Sequence, residues 1–151
     1  MGVLRIKWLL ILVILFGAAP VHASTANSTS AEGSGLEGWW YGEGYQPYWQ
    51  AYAQWIEHRD ADGRFRIEFR RYENCVLVHR QLEGGTWRRE GNQIVDETND
   101  IDGAAVAILN EYDIETLSEH DLVIYHKKTD THFRDVRVSE DFKFPGCNAT
   151  S

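Results

Sequence analysis

The sequence predicts an all-β fold, an antiparallel up-and-down meander closed into a small barrel of about eight strands. Three observations carry this expectation. Apolar residues recur with a period of two, most clearly where Phe65, Ile67 and Phe69 alternate with Arg64, Arg66, Glu68 and Arg70. Turn chemistry returns at short intervals, in Asp60-Ala61-Asp62-Gly63, Glu83-Gly84-Gly85, Gly91-Asn92, Asp100-Ile101-Asp102-Gly103 and Thr129-Asp130. A run of short consecutive strands also leaves open edges, and closing the sheet on itself is the simplest way to remove them.

Taken in order, strands are expected near 38–42, 48–58, 64–72, 74–83, 86–90, 93–99, 104–115, 121–128 and 131–138. Within 104–115, Val106, Ile108, Tyr112 and Ile114 alternate with Glu111, Asp113 and Glu115. The segment 48–56 also reads as a helix. Trp49, Tyr52, Ala53 and Ile56 stand at helical spacing, and Pro47 suits a helix start. A strand is preferred because Asp60–Gly63 then forms a hairpin onto the strand at 64–72.

Ahead of this domain, Arg5 and Lys7 precede the apolar run Trp8 to Phe16, and Val21-His22-Ala23 fits the small-x-small pattern of a cleavage site. The apolar run is too short to span a bilayer, which takes about 20 residues. Residues 1–23 therefore read as a signal peptide, 24–37 as a flexible Ser/Thr/Gly leader, 38–147 as one β-barrel domain and 148–151 as a tail. The expected destination is exported, periplasmic or secreted. Asn27-Ser28-Thr29 and Asn148-Ala149-Thr150 match the N-glycosylation pattern. In an oxidising compartment Cys75 and Cys147, an even pair with no CxxC, are expected to form a disulfide that pins the tail.

With 43% hydrophobic and 25% charged residues, the chain is neither disordered nor a multi-spanning membrane protein. Its net charge of −8, with Arg5 and Lys7 confined to the signal segment, leaves no electrostatic footprint for nucleic acid or an anionic membrane surface. No stable membrane insertion of the domain is expected.

Gly38-Trp39-Trp40 is a Gly-x-Trp opening the first strand directly after a signal peptide and leader. In this the chain resembles the lipocalin-like (calycin) domains, and the stretch from Gly85 to Asn92 is similar to short bacterial members. The resemblance implies that Trp40 plugs the closed end of the barrel with Arg137 or Arg134 packed across it. It also implies a disulfide from the tail to a mid-barrel strand, as Cys147–Cys75 would be. The family's Thr-Asp-x-x-x-Tyr motif is absent, and no C-terminal helix is readable.

The expected role is non-catalytic binding of a small apolar or amphipathic molecule. Aromatic residues crowd the stretch 39–55, and Trp39, Trp40, Trp49, Tyr52 and Trp55 form the expected wall. The bland alternative is that these rings simply fill a small barrel. Arg80, in file with Val76, Val78 and Leu82, and Asn110, between Ile108 and Tyr112, are candidate interior polar anchors. His126 and His132 straddle the Thr129-Asp130 turn, but two ligands do not close a zinc site. No metal or cofactor is expected. There is no Gly-x-Ser-x-Gly, HExxH or phosphate loop, so catalytic residues are not assigned. Two alternatives remain open: a filled barrel acting through protein–protein or envelope surface contacts, and a small hydrolase built on carboxylates that meet in space. The sequence names no protein partner.

Overall fold

The computed structural model describes residues 34–147. Within them, eight strands run antiparallel in chain order around a closed barrel, β1 pairing with β8 to complete the ring. They are β1 (Gly38–Gln46), β2 (Ala51–Arg59), β3 (Arg64–Glu73), β4 (Val76–Glu90), β5 (Gln93–Ile101), β6 (Ala104–Leu117), β7 (Asp121–His126) and β8 (Thr131–Val138). The expected signal segment, the leader up to residue 33 and the motifs at Asn27 and Asn148 lie outside the described residues. Among the described residues, no helix is long and apolar enough to cross a membrane.

The segment 48–56 is not a helix. Pro47 to Gln50 form the β1–β2 turn, in which Trp49 N donates to Gln46 O at 3.1 Å, and β2 begins at Ala51. The two strands expected at 74–83 and 86–90 are a single strand, β4. Gly84 and Gly85 make a bulge in the β4–β5 pairing rather than a turn, and β3 stays paired to β4 through both glycines. Asp102 and Gly103, with φ of 52° and 83°, form the two-residue β5–β6 turn that a right-twisted hairpin requires.

The two ends of the barrel are built differently. Where β1 begins, Leu36, Trp40, Trp87, Ile94, Ile114 and Leu122 belong to one buried cluster. Ser34 to Glu37, expected as part of the leader, pack here, and Leu36 is fully buried. Trp40 is also fully buried, and its indole N–H donates to Leu36 O at 2.8 Å. Arg137, not the exposed Arg134, lies across the Trp40 ring, its guanidinium carbon 4.1 Å from the ring centre. Its remaining donors reach the carbonyls of Gly35 and Glu119, both at 2.7 Å. A cation over a ring face with its N–H groups on backbone oxygens seals this end without stranding a charge.

The tail crosses the outside of the barrel. Phe142 packs on Tyr41 with ring centres 5.0 Å apart, and the Arg70 guanidinium sits 3.9 Å above the Phe144 ring. Cys147 then joins Cys75 in the β3–β4 turn, with Cα atoms 5.2 Å apart. This disulfide closes a loop of 72 residues.

Replacing the Trp40 plug, Trp40→Ala, is expected to cost roughly 3–5 kcal/mol in urea unfolding; a loss below about 1 kcal/mol would contradict its burial. Reducing the disulfide should lower stability by roughly 3–5 kcal/mol through loop entropy. Identical urea midpoints with and without reductant would refute that contribution.

Candidate functional site

The site is carried by β2. Its inward file, Ala53, Trp55, Glu57 and Arg59, is buried throughout. Period-two alternation therefore places an ion pair directly below a tryptophan in the barrel lumen. Arg59 Nη2 meets Glu57 Oε1 at 2.7 Å. Its two Nη groups also reach Asp96 of β5 across the barrel, at 2.8 and 2.9 Å. β2 and β5 are not neighbours in the sheet, so this forked contact bridges the interior. The guanidinium further lies 5.3 Å from the Trp87 ring and 5.8 Å from Phe65. Its Nε–H, buried with the rest, has no acceptor.

Asp135 of β8 faces the same space. Trp55 Nε1 donates to its Oδ1 at 2.7 Å. Gly42 of β1 makes this contact possible, because a Cβ there would collide with both the Asp135 carboxylate and the Trp55 ring. A line of rings leads outward from Trp55. Phe69 stands 6.4 Å away, and Trp49 of the β1–β2 turn meets Phe69 edge-on at 5.4 Å. Phe133 and Tyr112 continue the wall on the other side, at 5.5 Å from Trp55 and 6.1 Å from Phe133 respectively.

Most of these groups line a partly open cavity whose free volume is about 50 Å³, also lined by Glu83 and Asn110. That is room for roughly three to five waters, far below the roughly 300–1,000 Å³ of a drug-sized pocket. The barrel is thus mostly filled by its own side chains, and what remains open is small, polar and aromatic.

The acids outnumber the cation. Burial pushes the Asp135 carboxyl up to about 7, against the pull of the Trp55 N–H and the Arg59 charge. Burial also raises Glu57 well above the usual carboxylate range, and the charges of Asp96 and Asp135 outweigh part of the pull from Arg59. Glu83 is raised by burial as well. Carboxyls crowded beside one guanidinium in a low-dielectric lumen cannot all stay ionised.

The residues singled out in the sequence are distributed over four places. Trp55 and Asn110 line the cavity. Trp49 stands at its mouth on Phe69. Trp40 is the plug. Trp39, Tyr52 and Arg80 are on the outer surface, which corrects their expected place in the wall or interior. Trp39 stacks on His58 at 4.3 Å, and Tyr52 donates to Glu43 at 2.6 Å. Arg80 donates to both oxygens of Glu68, at 2.8 and 2.9 Å. The first half of β4 turns its apolar side, Val76, Val78 and Leu82, outward and exposed, so the arginine in that file is outside too. His126 pairs with Thr129 Oγ1 at 2.8 Å, and His132 lies outside near Glu115. No group of three or more metal-ligating residues occurs among the described residues.

Glu57, Arg59, Asp96 and Asp135 were missed by sequence reasoning. The available signal was their phase: Glu57 and Arg59 continue the file of Trp55, Asp96 that of Ile94 and Thr98, and Asp135 that of Phe133. No protein-family model, curated protein or solved structure matches the chain.

The raised carboxyls set a sign for pH dependence. Between the unfolded value near 4 and the folded value of about 7, Asp135 binds more protons in the folded chain, so its contribution to stability falls as pH rises. Asp135→Asn keeps an acceptor for Trp55 and removes the charge. Its stability relative to the parent should therefore rise by more than about 1 kcal/mol between about pH 5 and pH 8. A pH-independent difference in urea unfolding would contradict the assignment.

Proposed function

We propose that the chain is an exported, lipocalin-like binding barrel that takes a compact amphipathic molecule into its lumen without chemical conversion. The observation that carries this reading is the excess of buried acids over cations in a cavity walled by aromatic rings. A purely structural lumen gains nothing from it, because uncompensated buried carboxyls cost stability and apolar residues of similar volume would fill the space better. Groups held in that state in a cavity mark functional sites. The Trp40–Arg137 plug and the tail disulfide support the lipocalin-like part of the reading. The disulfide is compatible with an extracellular or periplasmic location.

The small free volume narrows the ligand. A long acyl chain or a haem does not fit a space of about 50 Å³, so the bound part is a compact polar head, with any apolar portion lying towards Trp49. A second reading, a small hydrolase, is favoured by the two raised carboxyls, Glu57 and Asp135, in one cavity. The small volume restricts it to very small substrates.

Native mass spectrometry of the oxidised chain, recovered from an oxidising compartment without detergent, tests the proposal. A discrete small added mass that leaves intact on gentle activation is expected. A clean apo mass, together with unchanged tryptophan fluorescence across fatty acids, sugars and amines, would overturn it in favour of a filled barrel acting through its surface. Turnover of the added molecule would favour the hydrolase.

A further inference from the structure

The cavity has two unmet needs, and they are of opposite kinds. Glu57 and Asp96 share the single guanidinium of Arg59, while Asp135 and Glu83 add two more carboxyls to the lining with no cation in contact. Arg59 in turn spends both Nη groups on Glu57 and Asp96 and leaves its Nε–H, in a side chain 1% exposed, without an acceptor. The lumen therefore has carboxyls in excess of positive charge and one N–H without an oxygen acceptor. Around both lie the faces and edges of Trp55, Phe69, Tyr112 and Phe133. Such rings attract a desolvated cation and repel an anion.

Resting on the binding reading above, we infer that the barrel's ligand is a small amino alcohol, its ammonium group held by Asp135 and Glu57 among the rings and its oxygen accepting from Arg59 Nε–H. The size agrees, since four or so heavy atoms fill the space of roughly three to five waters. A phosphate or carboxylate on the ligand is excluded by the four acids already present. The same chemistry occurs free and as a phospholipid headgroup. The narrow, acid-lined lumen selects the free form.

Binding is proton-linked. The charged and titratable groups facing Asp135 are Glu57 and Arg59 on β2, Glu83 on β4, Asp96 on β5 and Tyr112 on β6. The lining residues from β3 and β7 are apolar. Asp135, which burial raises to about 7, holds a proton near neutrality and must release it to receive a cation. Affinity therefore rises with pH through this range and falls on acidification.

The test follows the Trp55 indole N–H by NMR, because that group donates directly to Asp135. Ethanolamine is titrated into the oxidised full chain at about pH 8, beside ethylene glycol, which lacks the charge, propylamine, which lacks the oxygen, glycolate, which reverses the charge, and phosphoethanolamine, the headgroup form. Ethanolamine is expected to shift the resonance saturably, with an affinity in roughly the micromolar-to-millimolar range that so few atoms allow. It should bind at least about tenfold more tightly than each of the others, and at least about tenfold more weakly near pH 5.5 or in Asp135→Asn. Calorimetry in two buffers of different ionisation enthalpy should show proton release on binding, which needs no variant.

Equal binding of ethylene glycol or propylamine, preference for glycolate or phosphoethanolamine, or absence of proton release would overturn the inference. If none of the probes binds but the chain still retains a small molecule of another class in the mass spectrum, this inference falls and the binding reading stands. If nothing is retained and tryptophan fluorescence is unchanged across fatty acids, sugars and amines, both fall.

Discussion

The contact on which the interior depends is the Arg59 guanidinium, buried and gripped by Glu57 on its own strand and by Asp96 across the lumen. Breaking it by removing one partner would leave an unpaired charge in a low-dielectric space, a loss of about 3–5 kcal/mol for such sites. The forked contact therefore ties β2 to β5, two strands that the sheet does not join directly. It also determines what the rest of the lumen can be. With Arg59 committed, Asp135 and Glu83 have no cation of their own. Asp135 instead leans on the Trp55 indole, which in turn needs the bare backbone of Gly42 to approach.

The barrel separates its tasks by end. At the β1 start, Leu36, Trp40, Trp87 and Ile94 pack as an ordinary apolar core, with Arg137 lying across Trp40 and each of its three nitrogens donating to a backbone oxygen. This end supplies stability. The middle is polar and carries the uncompensated acids. Beyond it, the Trp49 turn leans over Phe69, and the tail is stapled to the β3–β4 turn at Cys75. The lumen is thus held between a sealed floor and an aromatic rim, and its polar groups are fixed by strands rather than loops.

Much of the architecture was legible because it rests on local rules. Phe65, Ile67 and Phe69 declared the period of β3, and Asp102-Gly103 declared the turn between β5 and β6. The Cys75–Cys147 pair was readable from the count of cysteines alone, whereas Trp40 was expected both in the ligand wall and as the plug, and only the plug agrees with its place. The site was less legible because inward and outward files look alike when polar residues face in. Glu57 and Arg59 read as a solvated face until Trp55 fixes their phase. In β4 the apolar residues Val76, Val78 and Leu82 point to solvent, which misplaced Arg80. Gly84-Gly85 carries turn composition but forms a bulge, because β3 offers an unbroken partner on its other side. Pairing across the sheet decided each of these cases, and pairing is not a local property.

The central claim is that the lumen holds more carboxyls than its one guanidinium can keep charged. Carboxyl-carbon NMR of the empty barrel across the pH range measures this at the groups themselves. Asp135 is expected to titrate at about 7, with Glu57 displaced upward alongside it. Titration of both near 4, the value of a solvated carboxyl, would show the lumen to be neutralised or wet and would contradict the account.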